Sequence, residues 1–358
     1  MTDTTTPSAI TAAMDRVDER HYRGTDRRAV RQTTPTSVIE RHLPLLDVEP
    51  GMRILEIGTG SGYSTAVLAE LVGPEGSVVS VDVEDDLVTR ADRLHREAGY
   101  TMITSLAGDG YQGAPGREPF DRLIAWTTPP HLPEAWVEQV RSGGVIVSPL
   151  VCAPIAYSTA MTRVVVTDEH TPGSIGLHRG QYVPMTTPTL DRSRYATLAR
   201  VIDGERGPSY ISAPWITATG DRELAETVFT RMLDASHSEP SDIGWPEIEH
   251  FKLWIIARDP AGLTMAHRGK ETMVGVTTEE HVGFMSLFPD TRLVADAPDS
   301  PTASAVLDLL QGWKEAGRPR IENLRVRATA TAGGWRPVLE SPTASSSPTR
   351  GVRFPEGP

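Results

Sequence analysis

The sequence predicts an α/β fold, a doubly wound and mostly parallel sheet followed by an α+β appendage, and three observations lead there. Short apolar strands alternate with helices over the first half of the 358 residues, the order of a parallel sheet covered on both faces. One of those strands runs into a turn with three glycines that feeds a helix. After Thr187 the alternation stops at a polar stretch rich in Pro, Thr, Asp and Arg, which reads as a domain junction.

The elements follow in order. Ile54, Leu55 and Ile57 form a short strand bounded by Gly51, and Ser64 to Leu71 reads as a helix. Between them stand Gly58, Gly60 and Gly62, which let backbone approach a nucleotide-like ligand without Cβ clashes. Ser77 to Val81 is a second buried strand ending in Asp82, and Leu87 to Ala98 a helix stopped by Gly99. Thr101 to Leu106 is a third strand, followed by a Gly108-Asp109-Gly110 turn. Phe120 to Trp126 is the fourth strand, Leu132 to Val140 a helix, and Gly144 to Pro149 a fifth strand.

The glycine turn discriminates between ligands. A dinucleotide loop needs a third glycine three residues after the second, so that a helix N-terminus clasps a pyrophosphate. Tyr63 stands there instead. Glu56, at the carboxyl end of the strand where such sheets place their ligand crevice, suits a ligand that is cationic and lacks phosphates. S-adenosylmethionine has that chemistry. The cofactor loop is then Glu56, Gly58, Thr59, Gly60 and Gly62. Asp82 is placed to accept two ribose hydroxyls. Asp109, with Gly110, takes the adenine amino group, or else Asp109 is a plain Asx-turn residue.

Several stretches together resemble one family. Pro50 to Tyr63, Gly108-Asp-Gly, Pro119-Phe-Asp-Arg and Gln139 to Pro149 look like the protein-L-isoaspartate O-methyltransferase family in order and spacing, from about Met14 to Pro188. Tyr182-Val-Pro-Met185 is similar to the strand closing that family's catalytic domain. The resemblance implies a class I S-adenosylmethionine-dependent methyltransferase that esterifies the side carboxylate of isomerised aspartate. One departure stands out. The family carries Ser-Gln-Pro before the helix preceding the glycine loop, and this chain has Thr33-Thr34-Pro35. Thr33 therefore falls where the resemblance puts a serine beside the methyl-transfer point; it keeps the hydroxyl and adds a stiffening methyl. Alternatively Thr34 or Thr36 only caps a helix begun at Pro35.

The chemistry asks little of the protein. A carboxylate with a pKa of about 4 is already ionised near neutral pH, so no base is needed; alignment and exclusion of water raise the rate. Neutral donors suit that task better than an arginine clamp. Thr33 and Thr34 are the catalytic candidates, with Trp126, Thr127 and Thr128 behind the fourth strand as substrate contacts.

Composition excludes several classes. The net charge of −12 disfavours nucleic acid and anionic membranes, both of which need basic patches. The single cysteine, Cys152, rules out an intrachain disulfide, and no Cys/His cluster suggests a metal. No leader-like or membrane-length apolar run is present, so the expected location is cytoplasmic.

The expected organisation is a catalytic domain over 1–190, an α+β accessory domain over 191–340 and a disordered tail over 341–358. Within the accessory domain Asp221 caps a helix through Ser236, Phe251 to Ala257 is a strand, and Thr272 to Thr277 and Arg292 to Ala295 are shorter ones. A helix runs from Pro301 to Gly317 and a half-exposed strand from Arg320 to Ala330. His237, His250, His267 and His281 are scattered and read as surface or core residues. Three functions are compatible with this chain: repair of isoaspartyl sites in many proteins, tailoring of an aspartate in one ribosomally made peptide to an aspartimide, or a catalytically silent cofactor-binding module. The partner is a peptide or protein; the oligomeric state stays open.

Overall fold

The computed structural model describes residues 7–23, 33–185, 202–204 and 207–340. The polar junction after Thr187 and the tail from Ser341 lie outside the described residues. The chain divides into two compact units. The first comprises Met1–Val151, Thr159–Leu190 and Arg327–Pro337; the second comprises Cys152–Ser158, Asp191–Val326 and Val338–Pro358.

The first unit opens with helices α1 (Pro7–Arg16), α2 (Glu19–Arg23) and α3 (Thr36–His42). The alternating part follows: β1 (Arg53–Ile57), α4 (Tyr63–Val72), β2 (Ser77–Asp82), α5 (Asp85–Glu97), β3 (Ile103–Ala107) and β4 (Phe120–Ala125). Then come β5 (Leu132–Pro133), α6 (Glu134–Gln139), β6 (Val140–Val151), β7 (Thr159–Val166) and β8 (Pro172–His178). The main sheet has the order β3-β2-β1-β4-β6-β7-β8. It is parallel from β3 to β6, and β7 and β8 add antiparallel. The winding reverses between β1 and β4, and that reversal opens the crevice at the carboxyl ends of the strands.

Strand alternation fills two cores. Ile54, Ile124 and Val147 face one side with Val67 and Leu68 of α4 and Ile10 of α1. Leu55, Leu123 and Ile146 face the other with Trp136 and Val137 of α6. Each fully buried aliphatic side chain contributes about 1.5–3 kcal/mol. The helix expected over Leu132 to Val140 is shorter, because Leu132 and Pro133 pair with Trp335 and Gly334 instead. Val140 already belongs to β6, so the fifth strand is longer than its apolar run suggests.

The second unit carries β9 (Ile202–Gly204), β10 (Gly207–Ser212), α7 (Pro214–Thr219), α8 (Arg222–Asp234), β11 (His237–Pro240) and α9 (Trp245–Arg258). β12 (Leu263–Arg268), β13 (Glu271–Thr277), β14 (Val282–Phe288), β15 (Arg292–Ala295) and α10 (Pro301–Glu315) follow. Its antiparallel sheet has the order β11-β15-β14-β13-β12-β10-β9. Asp221 caps α8 as the sequence predicts, its Oδ1 accepting from the amides of Glu223 and Leu224 at 2.9 and 3.1 Å. A Cβ on Gly283 would lie 2.4 Å from the Thr302 backbone, so only glycine lets α10 start directly on β14.

Phe251 to Ala257 is not a strand but the middle of α9. The run is buried on every side, from Phe251 to Ala257, and an all-round apolar segment of that length has no periodicity to separate strand from helix. Start and stop signals decide it. Glu247 reaches back to the Gly244 amide at 3.2 Å, and Asp259 ends the helix with φ of 44°. The last two strands are β16 (Val326–Thr331) and β17 (Gly334–Leu339). The expected strand from Arg320 therefore starts late, after a 3₁₀ turn at Ile321–Asn323.

Candidate active site

The turn after β1 builds one wall of a cleft. Gly58, Gly60 and Gly62 have φ of 94°, 52° and 85°, values that side chains other than glycine rarely adopt. At Gly62 a Cβ would also sit 3.0 Å from both Ala91 Cβ and His95 Nε2 of α5. The loop is thus pinned from behind and open in front. Thr59, Gly60, Ser61 and Gly58 line the cleft, together with Ile57, Val81, Asp82 and Gly110.

Glu56 lies behind this loop and not in the cleft. Its side chain is fully buried. Oε1 accepts from Ser64 Oγ at 2.6 Å and Trp126 Nε1 at 2.8 Å; Oε2 accepts from Thr65 Oγ1 at 2.5 Å and Ser80 Oγ at 2.7 Å. With the Ser80 proton committed to Glu56, Thr59 Oγ1 must donate to Ser80 Oγ at 2.7 Å. Burial pushes the Glu56 carboxyl above the usual carboxylate range, and the four donors oppose that push. The direct contact with a cationic ligand expected from the sequence therefore gives way to a supporting role: Glu56 ties β1, β2, α4 and the end of β4 together under the glycine turn.

Asp82 does line the cleft, at the tip of β2. Oδ2 accepts from the Gly60 amide at 2.9 Å and Oδ1 from the Glu84 amide at 3.1 Å, which orients the carboxylate and leaves each oxygen a further lone pair. Asp109 caps the 3₁₀ turn Gly110–Gln112 by accepting from the Tyr111 amide at 3.0 Å, the local role the sequence left open beside adenine binding. Gly110 reaches the cleft itself, where a Cβ would lie 2.7 Å from Ile57 Cγ2.

Thr33 and Thr34, ahead of α3, also line the cleft, as do Trp126 and Thr127 after β4, which lie against the glycine turn: a Cβ on Gly58 would come 3.4 Å from Thr127 Cγ2 and 3.6 Å from Trp126 Cβ. Thr127 Oγ1 is buried and has no hydrogen-bond partner among the described residues, and such an orphan hydroxyl costs about 1–3 kcal/mol. Trp126 is committed to Glu56 through its indole N–H. Thr128 points away from the cleft wall: its Oγ1 donates to the Tyr182 carbonyl at 3.0 Å and its amide to the Val183 carbonyl at 2.8 Å. Thr128 thereby fixes the strap Val183-Pro184-Met185, which lines the cleft.

Sequence reasoning missed the supports. Ser64, Thr65 and Ser80 hold Glu56, and their signal was present as hydroxyls in otherwise apolar elements, Ser80 within Val78-Val79-Ser80-Val81 above all. His42 was also missed. It is buried at the end of α3, where Nε2–H donates to the Arg179 carbonyl at 2.8 Å and Nδ1 accepts from Tyr182 Oη at 2.7 Å. Nothing in the local sequence reveals it, since the partners lie about 140 residues away. Among the described residues no group of three His, Cys, Asp or Glu side chains is placed to hold a metal ion, and no helix is long and apolar enough to cross a membrane.

Residues 29–190 match the family model described as Protein-L-isoaspartate(D-aspartate) O-methyltransferase (PCMT). The Protein-L-isoaspartate O-methyltransferase of Methanothermobacter thermautotrophicus is 42% identical over 106 residues, covering 30% of this chain and 49% of that protein. The protein of the same name from Gloeobacter violaceus is 37% identical over 142 residues, covering 39% of this chain and 65% of that protein. The chain spans about half the length of the first curated relatives it matches. A solved structure named protein-L-isoaspartate O-methyltransferase aligns with a TM-score of 0.47 and 16% identity, covering 92% of this chain and 94% of that one.

Proposed function

From the match of residues 29–190 to the protein-L-isoaspartate O-methyltransferase family model, we propose that the cleft binds S-adenosylmethionine and transfers its methyl group to an isoaspartyl or aspartyl carboxylate. The carrying observation is the convergence of three features at the β1/β4 reversal: a glycine wall open to a ligand, the Asp82 carboxylate, and the Thr127 hydroxyl, which has no partner among the described residues, in the same cleft as Thr33 and Thr34. These residues fit the cofactor. The glycine loop admits close approach, and Asp82 has acceptor capacity for ribose hydroxyls. The bound donor supplies a methyl group on a sulfonium, which leaves as a neutral thioether.

The chain's own residues orient and dehydrate. Thr127 Oγ1–H, with the Thr33 and Thr34 hydroxyls, is suited to hold a substrate carboxylate by neutral hydrogen bonds, which leave the oxygen nucleophilic where an arginine would quench it. Trp126 and the Val183-Met185 strap keep water from the reacting oxygen. The substrate on this reading is a peptide or protein, and a cytoplasmic location goes with it.

Thr33 in place of the family's serine supports a narrower second reading, tailoring of an aspartate in one peptide, because the added methyl reduces the space beside the hydroxyl. Incubation with S-adenosylmethionine carrying a labelled methyl group separates the two. Base-labile label on an isoaspartyl peptide is the expected result; label on one aspartyl peptide alone favours tailoring. Binding of S-adenosylhomocysteine without any transfer would make the domain a silent binding module, and absence of binding would remove the proposal. Asp82→Asn is expected to weaken S-adenosylhomocysteine binding about tenfold by calorimetry, a loss of about 1.4 kcal/mol.

A further inference from the structure

The glycine turn and the Thr33–Thr34 wall are not neighbours in sequence, yet methyl transfer along a line requires their separation to be held. One short helix touches both. Arg23, the last residue of α2, donates from Nη2 to the Thr34 carbonyl at 3.2 Å and pairs through Nε with Glu19 at 2.7 Å. The same Glu19 Oε1 accepts from Thr36 Oγ1 at 3.4 Å. The residue before Arg23 faces the other way. Arg90 of α5 forks between two carbonyls, Nη2 donating to Tyr22 O and Nη1 to Ser61 O, the latter at 3.2 Å. Beside it His95 Nε2–H donates to the Gly62 carbonyl at 2.9 Å, and its ring packs against buried Tyr22 with centroids 5.5 Å apart.

We propose that α2 is a two-sided brace that holds the Thr33–Thr34 wall against the glycine turn, with Arg23 and Arg90 as its positioning residues. Neither touches the reacting atoms. The functional consequence rests on the methyl-transfer reading, whereas the brace itself is a property of the ligand-free protein. The two arginines differ in what they demand. Arg23 gives Thr34 a single N–H, and its other partner, Glu19, lies within α2 itself, so an ammonium at about the same reach can replace the bond across to Thr34. Arg90 spans two carbonyls with one planar fork, which a single ammonium point cannot.

Hydrogen exchange of the full ligand-free chain tests this. Arg90→Gln is expected to raise exchange at least about tenfold in both the 33–39 and 58–64 segments, leaving the central strands 77–82 and 120–125 unchanged. Arg23→Gln is expected to raise it in 33–39 alone. Arg23→Lys restores protection and Arg90→Lys does not. Loosening of 58–64 without 33–39 in Arg90→Gln, or equal rescue by lysine at both positions, overturns the brace. S-adenosylhomocysteine affinity then reads the consequence. Each glutamine variant loses about tenfold and the double variant no more than either, a coupled pair and not a product of two losses. Wild-type protein that binds no S-adenosylhomocysteine sinks the function and not the brace, because the exchange pattern needs no ligand.

Discussion

Thr127 carries a buried hydroxyl that none of the described residues satisfies, in a structure where most buried polar atoms are paired. Its place in the cleft, at a cost of about 1–3 kcal/mol, makes Thr127 a candidate donor to the substrate. Thr127→Val, which replaces the hydroxyl by a methyl of similar size, separates use from cost. Turnover is expected to fall about tenfold while urea-unfolding stability stays level or rises by up to about 1 kcal/mol. Unchanged turnover takes Thr127 out of the site. At this scale the sequence was legible where a side chain acts on its neighbours, as with Asp221, and opaque at Glu56. Its position at a strand end looked ligand-facing, and only the arrival of Ser64, Thr65, Ser80 and Trp126 turned the carboxylate inward.

Elements meet at His42, where the end of α3 holds Arg179 and Tyr182, just ahead of the strap that lines the cleft. Burial depresses its pKa below the usual 6.5, the hydrogen bond to the Arg179 carbonyl opposing that shift; His95 is depressed in the same way, with the Gly62 carbonyl opposing. A histidine held neutral in the fold binds its proton more readily when unfolded. Stability contributed by these groups is therefore present above pH 6.5 and declines as pH falls below it, by at most about 1.4 kcal/mol per pH unit for each group. Urea midpoints measured at pH 7.5, 6.5 and 5.5 are expected to drop over the last interval, and His42→Gln is expected to flatten part of that drop. A slope identical to wild type would mean that His42 titrates normally. α9 teaches the complementary lesson: caps at Gly244 and Asp259 outrank an apolar run whose period is ambiguous.

The first unit as a whole is completed from far along the chain. Trp335 packs partly buried against the core that holds Trp136 and Leu132, and β17 pairs with β5 through it. A chain ending at residue 326 lacks that strand and is expected to melt several degrees lower in its first unit. Trp335→Ala is the milder version, expected to cost about 2–3 kcal/mol, roughly half to two thirds of a fully buried tryptophan. Equal stability of the truncated and full chains would show that residues 29–190 fold without it.

The sequence alone determined the strand-glycine turn-helix unit, the acid at the tip of β2, the alternation that builds the sheet and the family that residues 29–190 resemble. All of these are local patterns, set by backbone freedom at glycine and by side-chain period. Tertiary structure decided which groups face the cleft. Glu56 was turned in by donors from three other segments, Thr127 was left without a partner among the described residues, and the brace at α2 formed from residues 11 to 68 positions apart. Such contacts depend on how elements pack, and no pattern within one segment encodes its partners in another.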